Sequence, residues 1–344
     1  MTDPVFLRAC RGDAVERVPV WFMRQAGRSL PEYRALRGTG SILEAIADPE
    51  VACEVTLQPV RRYGVDAAIL FSDIVVPYHA IGFGVDVVPG RGPVIAQPFR
   101  AASDLARLRD VTDDDIAHVT RTVDLVVEQL ATSDTPLIGF AGAPFTVASY
   151  LVEGAPTRDF AVIKTLMHAD PVLFDKLLDR LVAITVAFLR AQVAHGARAL
   201  QLFDSWAGSL TRDEYARFAL PATQRVFEGI ADLGVPTILF GVGTGELLSL
   251  MANAGSSVVG IDWHVDLGEG RRRTGKPAQG NLDPARCLGG VDLGVAAARE
   301  VLARAGREEG YIFNLGHGVL PSTDPDVLAA VVRVVHDEGK AGVR

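Results

Sequence analysis

DPVLFDKLLDRLVAITVAFLRAQVAHG, residues 170–196, runs almost directly into ALQLF, residues 199–203, and the reading of this pair decides the fold. The first segment opens with Asp170 and Pro171, a capping residue followed by proline in the first turn, then carries apolar residues at helical spacing and stops at Gly196. The second is apolar without alternation, as a strand covered on both faces must be. Working outward, runs of the same length recur as VPVWFM (18–23), AAILF (67–71), TPLIGF (135–140), PTILFG (236–241), SSVVGID (256–262), PAQGN (277–281) and YIFNLG (311–316), which with ALQLF makes eight. Helical stretches separate them, and DPARCLGG (283–290) and STDPDVLAAVVRVVHDEG (322–339) are expected to open helices in the same Asp-Pro manner. Eight such units without a linker predict an α/β fold, a single (β/α)8 (TIM) barrel domain over residues 1–344, in preference to an open doubly wound sheet. The segment 77–100, rich in Gly, Pro and β-formers, reads as a hairpin excursion after strand 2, and an extra helix is expected around 156–168.

Composition narrows the function. Of 344 residues 49% are apolar and 22% charged, enough for a large core and too apolar for disorder. The net charge of -8 argues against nucleic acid as a partner, so an anionic ligand has to be held by a local cluster of cations. Cys10, Cys53 and Cys287 are too few and scattered for a disulfide framework, and neither they nor the seven histidines form a spacing that holds zinc. With charges interrupting the N-terminus and no apolar run near ~18 residues, the expectation is a soluble cytoplasmic protein with neither leader nor membrane span.

In a barrel the chemistry sits where strands end, so the residues after each apolar run are the candidates. The first run leads into Arg24, Gln25 and Arg28, with Arg37 further on; if that stretch is helical, Arg24 and Arg28 share a face. Arginines at the rim suit carboxylate or phosphate, and three of them imply a polyanion. Asp73, in FSDIVVP, reads either as a helix cap or as a carboxylate in apolar surroundings that stabilises developing cationic charge. GFAGAPFTVASYLVEG presents Tyr150, and QLFDSWAG presents Asp204 and Ser205 without the G-x-S-x-G elbow of a nucleophile. GVGTGE (241–246) lacks the third glycine of a dinucleotide loop, while NLGHGVLP sets His317 between two glycines.

These residues carry a resemblance. WFMRQAGRSLPEYR, FSDIVVP, GFAGAPFTVASYLVEG, QLFDSWAG, GVGTGE, GIDWHVDL, QGNLDP and FNLGHGVLPSTDPD together resemble the uroporphyrinogen decarboxylase family of haem biosynthesis, in order, from about residue 4 to residue 336. Ser29 is a departure, standing where the family more often has an aromatic residue. The resemblance implies a (β/α)8 barrel, a homodimer, no metal or organic cofactor, and removal of the four acetate carboxyls of uroporphyrinogen III to give coproporphyrinogen III. It implies Arg24, Arg28 and Arg37 as substrate-binding arginines, Asp73 as the central aspartate, and Tyr150, Ser205 and His317 as further contacts. Asp73, Arg24 and Tyr150 become the expected catalytic residues, while the backbone around Gln25 and Ala26 and the walls Phe71 and Phe203 complete the cleft. An octacarboxylate needs such a local arginine cluster on an acidic protein. The porphyrinogen supplies its own electron sink, so no cofactor motif is required. Arg24, Asp73 and water all stand open as the proton donor. The nearest rival is a cobalamin or coenzyme M methyltransferase on the same barrel, whose zinc is held by His and Cys, and the missing HxC pair argues against it; a non-catalytic porphyrinogen-binding or scaffold protein is the second.

Overall fold

The computed structural model describes residues 3–37, 41–88, 90–306 and 309–340. Seven strands form one parallel sheet: β1 (Ala68–Ile69), β4 (Leu137–Gly142), β5 (Ala199–Asp204), β6 (Thr237–Gly241), β7 (Val258–Gly260), β8 (Ala278–Leu282) and β9 (Tyr311–Leu315). They pair in chain order, each with the next, and every residue of β4, β6, β8 and β9 is buried. That is why these strands read as continuous apolar runs, with helices covering the outer face. β2 (Val85–Val88) and β3 (Gly92–Ile95) form a separate antiparallel ladder inside the segment 77–100. The arrangement is TIM-like, and the C-terminal strand ends share one rim.

The expected strand at 18–23 is reduced to a parallel bridge between Val20 and Phe313. Phe313 N–H donates to Pro19 O at 2.9 Å, Trp21 N–H donates to Phe313 O at 3.3 Å, and Asp66 N–H donates to Val20 O at 2.8 Å on the other side. Pro19 has no N–H to extend the ladder, which limits pairing there. AAILF likewise contributes only two strand residues, Ala68 and Ile69.

The long helix spans Pro171–Ala194, capped by Asp170, whose side chain accepts from Leu173 N–H at 3.0 Å. DPARCLGG differs from expectation, forming a 3-10 turn over Pro284–Gly289 before the α-helix Val291–Ala305 begins. The extra helix lies at Ala161–Ala169, and the last at Pro325–Glu338 with Asp324 as its cap. One contiguous apolar core reaches from Phe6 to Val335. Among the described residues no helix is long and apolar enough to cross a membrane.

Candidate active site

The strap that leaves residue 23 is not helical, contrary to the expected shared face for Arg24 and Arg28. Arg24 (φ 58°) and Arg28 (φ 53°) both sit in the left-handed region, with Gly27 between them at φ 84°. A helix cannot run through such residues, and it begins only at Pro31, spanning Pro31–Arg37. Non-glycine residues in this region are strained and persist where surroundings dictate them, which is common at ligand sites. The surroundings here are explicit. Met23 N–H donates to Asn314 Oδ1 at 3.0 Å, Phe22 N–H donates to Gln25 Oε1 at 2.9 Å, and Gln25 Nε2 donates to Ala67 O at 2.9 Å. The buried Gln25 side chain is therefore committed to pinning the strap, its backbone N–H donates to Phe22 O at 3.0 Å, and Ala26 beside it is half-buried.

Phe71 closes against the strap, 3.3 Å from where a Cβ on Gly27 would stand, and meets Tyr33 edge-on at 5.7 Å. The Arg37 guanidinium lies 6.0 Å from the Tyr33 ring, and its buried Nε has no hydrogen-bond partner among the described residues. A buried guanidinium N–H without an acceptor is costly unless a ligand fills the role.

Asp73 follows β1. Its Oδ1 accepts from Val75 N–H at 3.1 Å in a tight turn, but the short helix Val76–Ala80 that follows has Val75 at its N-cap and no side-chain cap, so Asp73 is not the helix cap weighed from sequence. Burial pushes its carboxyl above the usual range, while the N–H groups of Val75 and Ile74 and the positive charge of Arg24 oppose that rise. Tyr150, on the helix Pro144–Glu153, has its hydroxyl pushed up to about 12 by burial and then by the negative charge of Asp73. Trp206 and Arg24 pull it the other way, and Trp206 packs edge-on against the Tyr150 ring at 5.8 Å. Tyr150 is thus neutral at neutral pH and can donate a hydrogen bond.

His317 stands on the turn after β9, with Phe240 at 6.1 Å and Trp263 at 6.4 Å. Burial, then Arg24, push the imidazole down to about 4, against an opposing pull from Asp262. Gly318 N–H donates to its Nδ1 at 2.5 Å. The proton of the neutral ring therefore sits on Nε2, free to donate.

The glycines flanking His317 are there for close approach. A Cβ on Gly316 would stand 2.5 Å from Trp263 N, and one on Gly318 2.5 Å from Arg24 Cδ. Phe203 bridges Phe140 at 5.4 Å and Phe240 at 6.1 Å, forming a wall that ends at His317. Half-buried Ser205 follows Asp204 at the end of β5.

Arg24, Asp73, Tyr150 and His317 thus interact electrostatically at one rim, with Phe71, Arg28 and Arg37 around the strap beside them. Behind this rim stand two carboxylates: Asp204, which the sequence places after its strand but which was not carried into the expected site, and Asp262, which was not singled out. Asp262 is 1% exposed and accepts from Gly243 N–H and from His264 Nδ1 at 2.9 Å, tying the ends of β6 and β7 together. Asp204 accepts from Thr146 Oγ1 at 2.7 Å. Both lie in blocks, GIDWHVDL and QLFDSWAG, that were already conspicuous, but nothing in a linear sequence marks a carboxylate as buried. Among the described residues no group of three or more His, Cys, Asp or Glu side chains is placed to hold a metal ion.

The family model for uroporphyrinogen decarboxylase matches residues 1–338. The chain belongs to the uroporphyrinogen decarboxylase family. Among curated relatives, the uroporphyrinogen decarboxylase of Streptomyces coelicolor is 56% identical over 338 residues, covering 98% of this chain and 95% of the relative. That of Nocardia farcinica is 54% identical over 344 residues, covering 98% and 97%. Among solved structures a methyltransferase from Methanosarcina mazei superposes with a TM-score of 0.79 at 21% identity, covering 96% of each chain. A B12-independent methionine synthase from Shewanella does so with 0.56 at 14% identity, covering 86% of this chain and 90% of its own. At those identities the family shares its fold with them and no more is carried over.

Proposed function

We propose that this chain decarboxylates the four acetate side chains of uroporphyrinogen III to methyls, yielding coproporphyrinogen III and CO2 in haem biosynthesis, without a metal or organic cofactor. The observation that carries this reading is the coupling of Arg24, Asp73, Tyr150 and His317 at one rim. Each step balances as one carboxylate and one proton becoming one methyl and one CO2. Protonation of a pyrrole α-carbon makes an iminium that receives the electrons of the breaking C–C bond. The resulting methylene takes up a proton, and the α-carbon proton is returned.

Arg24, Arg28 and Arg37 pair with side-chain carboxylates, and His317 Nε2 donates to another. Asp73 accepts the pyrrole N–H groups and stabilises the iminium, worth ~10²–10³ in rate for a preorganised charge in a water-poor cleft. With its raised carboxyl, Asp73 is also a better proton carrier than the Arg24 guanidinium. Tyr150 and Ser205 add hydrogen bonds, Phe71 and Phe203 flank the macrocycle, and the backbone at Gln25 and Ala26 lines its edge.

The same reading takes residues 1–344 as one domain, which the continuous core from Phe6 to Val335 supports. It takes 18–23 as the eighth strand closing a (β/α)8 barrel, supported by its bonds to Phe313 and Asp66, and β2–β3 as the hairpin excursion. The working enzyme is a cytoplasmic homodimer.

Anaerobic incubation with uroporphyrinogen III, with and without a chelator, followed by oxidation and separation of porphyrins by carboxyl number, tests the reading. Conversion of the eight-carboxyl to the four-carboxyl species, indifferent to chelation, is expected. No conversion, or conversion that the chelator stops, overturns it.

A further inference from the structure

Behind the rim, between β5 and the helix Pro144–Glu153, lies a carboxyl that the mechanism does not use. Asp204 is fully buried, and its Oδ1 accepts the hydroxyl hydrogen of Thr146 at 2.7 Å. A threonine hydroxyl has one hydrogen, so giving it to Asp204 turns an oxygen lone pair elsewhere. That lone pair accepts the backbone N–H of Trp206 at 3.1 Å. The Trp206 indole in turn packs against Tyr150 at 5.8 Å and Phe160 at 5.4 Å. One short chain therefore joins a buried acid to a residue of the rim.

The other half of the carboxyl is idle. Asp204 Oδ2 and the Tyr215 hydroxyl are both buried without a hydrogen-bond partner among the described residues. Burial pushes the Asp204 carboxyl up to about 6, against hydrogen bonding from Thr146. A site that needs one acceptor oxygen and offers nothing to the second is served by a neutral side chain.

We propose that Asp204 is a positioning residue for the decarboxylation, fixing the Thr146 hydroxyl so that Trp206 holds Tyr150 in its working orientation. The proposal rests on the reading of Tyr150 as part of the active site. Asp204 itself does not touch substrate. Its Oδ1 is required as an acceptor and its charge is not.

The test is a double-mutant cycle in steady-state decarboxylation of uroporphyrinogen III. Thr146→Val is expected to lower kcat about 10-fold with KM within about twofold, as a small misplacement at a reacting centre does. In a Tyr150→Phe background, which removes the hydroxyl being positioned, the same change is expected to cost less than about twofold. Asp204→Asn keeps the Oδ1 acceptor and is expected to recover most of the kcat that Asp204→Ala loses, a comparison that stands should Thr146→Val fail to fold; Thr146→Ser, which keeps the hydroxyl, is expected to keep kcat within about twofold. Fully additive effects of Thr146→Val and Tyr150→Phe, or an Asp204→Asn enzyme as impaired as Asp204→Ala, overturn the proposal while an active wild type leaves the proposed function standing. A wild type that leaves the substrate unchanged overturns the reading of the site, and the proposal with it.

Discussion

Arg24 illustrates how much of the site depends on what a neighbour lacks. Its side chain lies along Gly318, where an added Cβ would come within 2.5 Å of Cδ and 2.7 Å of Cγ. Gly318→Ala is therefore expected to push the guanidinium out of the cleft without disturbing the core, since the clash is with a flexible chain. A fall in kcat/KM of ~10²-fold is predicted, the scale for a misplacement of about 1 Å at a reacting centre. The thermal midpoint should move by no more than a few degrees. Unchanged kinetics would mean that Arg24 does not act from this position.

At the scale of elements, the Asp-Pro opening of the long helix and seven of the eight apolar runs were readable because capping and double-faced burial leave a local imprint. The 18–23 segment reads as a full strand because its apolar pattern is right, yet Pro19 withholds the hydrogen bond that pairing needs. The strap at 24–30 misled for the opposite reason. Four-residue spacing of Arg24 and Arg28 suggests a helix, whereas bonds from Asn314, Ala67 and Phe22, remote in sequence except the last, hold it in left-handed turns. Rim residues were legible from their position after the runs; the buried carboxyls behind them were not, because burial is a tertiary property.

Asp204, wedged between β5 and a helix, makes that burial measurable. Its folded pKa of about 6 lies above the ordinary 3.8, so the stability it contributes is complete below about 3.8 and is lost as pH rises through about 6. Asp204→Asn should therefore match the wild type in stability at pH 4 and exceed it at pH 8 by up to roughly 3 kcal/mol, about two units at 1.36 kcal/mol each. Denaturant titrations at the two values check this. A difference independent of pH would contradict the assignment.

Across the whole molecule the two ends of the sheet divide their tasks. At the end opposite the rim, Asp66 accepts from Arg17 Nη1 at 2.8 Å, from Val20 N–H at 2.8 Å and from His336 Nε2 at 2.9 Å. Burial would raise that carboxyl, but His336 and Arg17 hold it below the usual range. The cluster fastens the strap's own strand to the last helix, Pro325–Glu338. Arg17→Met should cost about 3 kcal/mol in a denaturant titration, as breaking a buried pair does, and leave kcat within about twofold. An unchanged stability, or a loss of kcat in protein that remains folded, would contradict this division.

The proposed chemistry rests on the carboxylate of Asp73, at the opposite end, which stabilises positive charge on the porphyrinogen. The most direct test is the kcat of Asp73→Asn, which keeps shape and hydrogen-bonding capacity while removing the charge, measured anaerobically on uroporphyrinogen III by carboxyl number. A fall of ~10²–10³-fold with the fold intact is expected. An Asp73→Asn enzyme that strips all four acetates at the wild-type rate would contradict it.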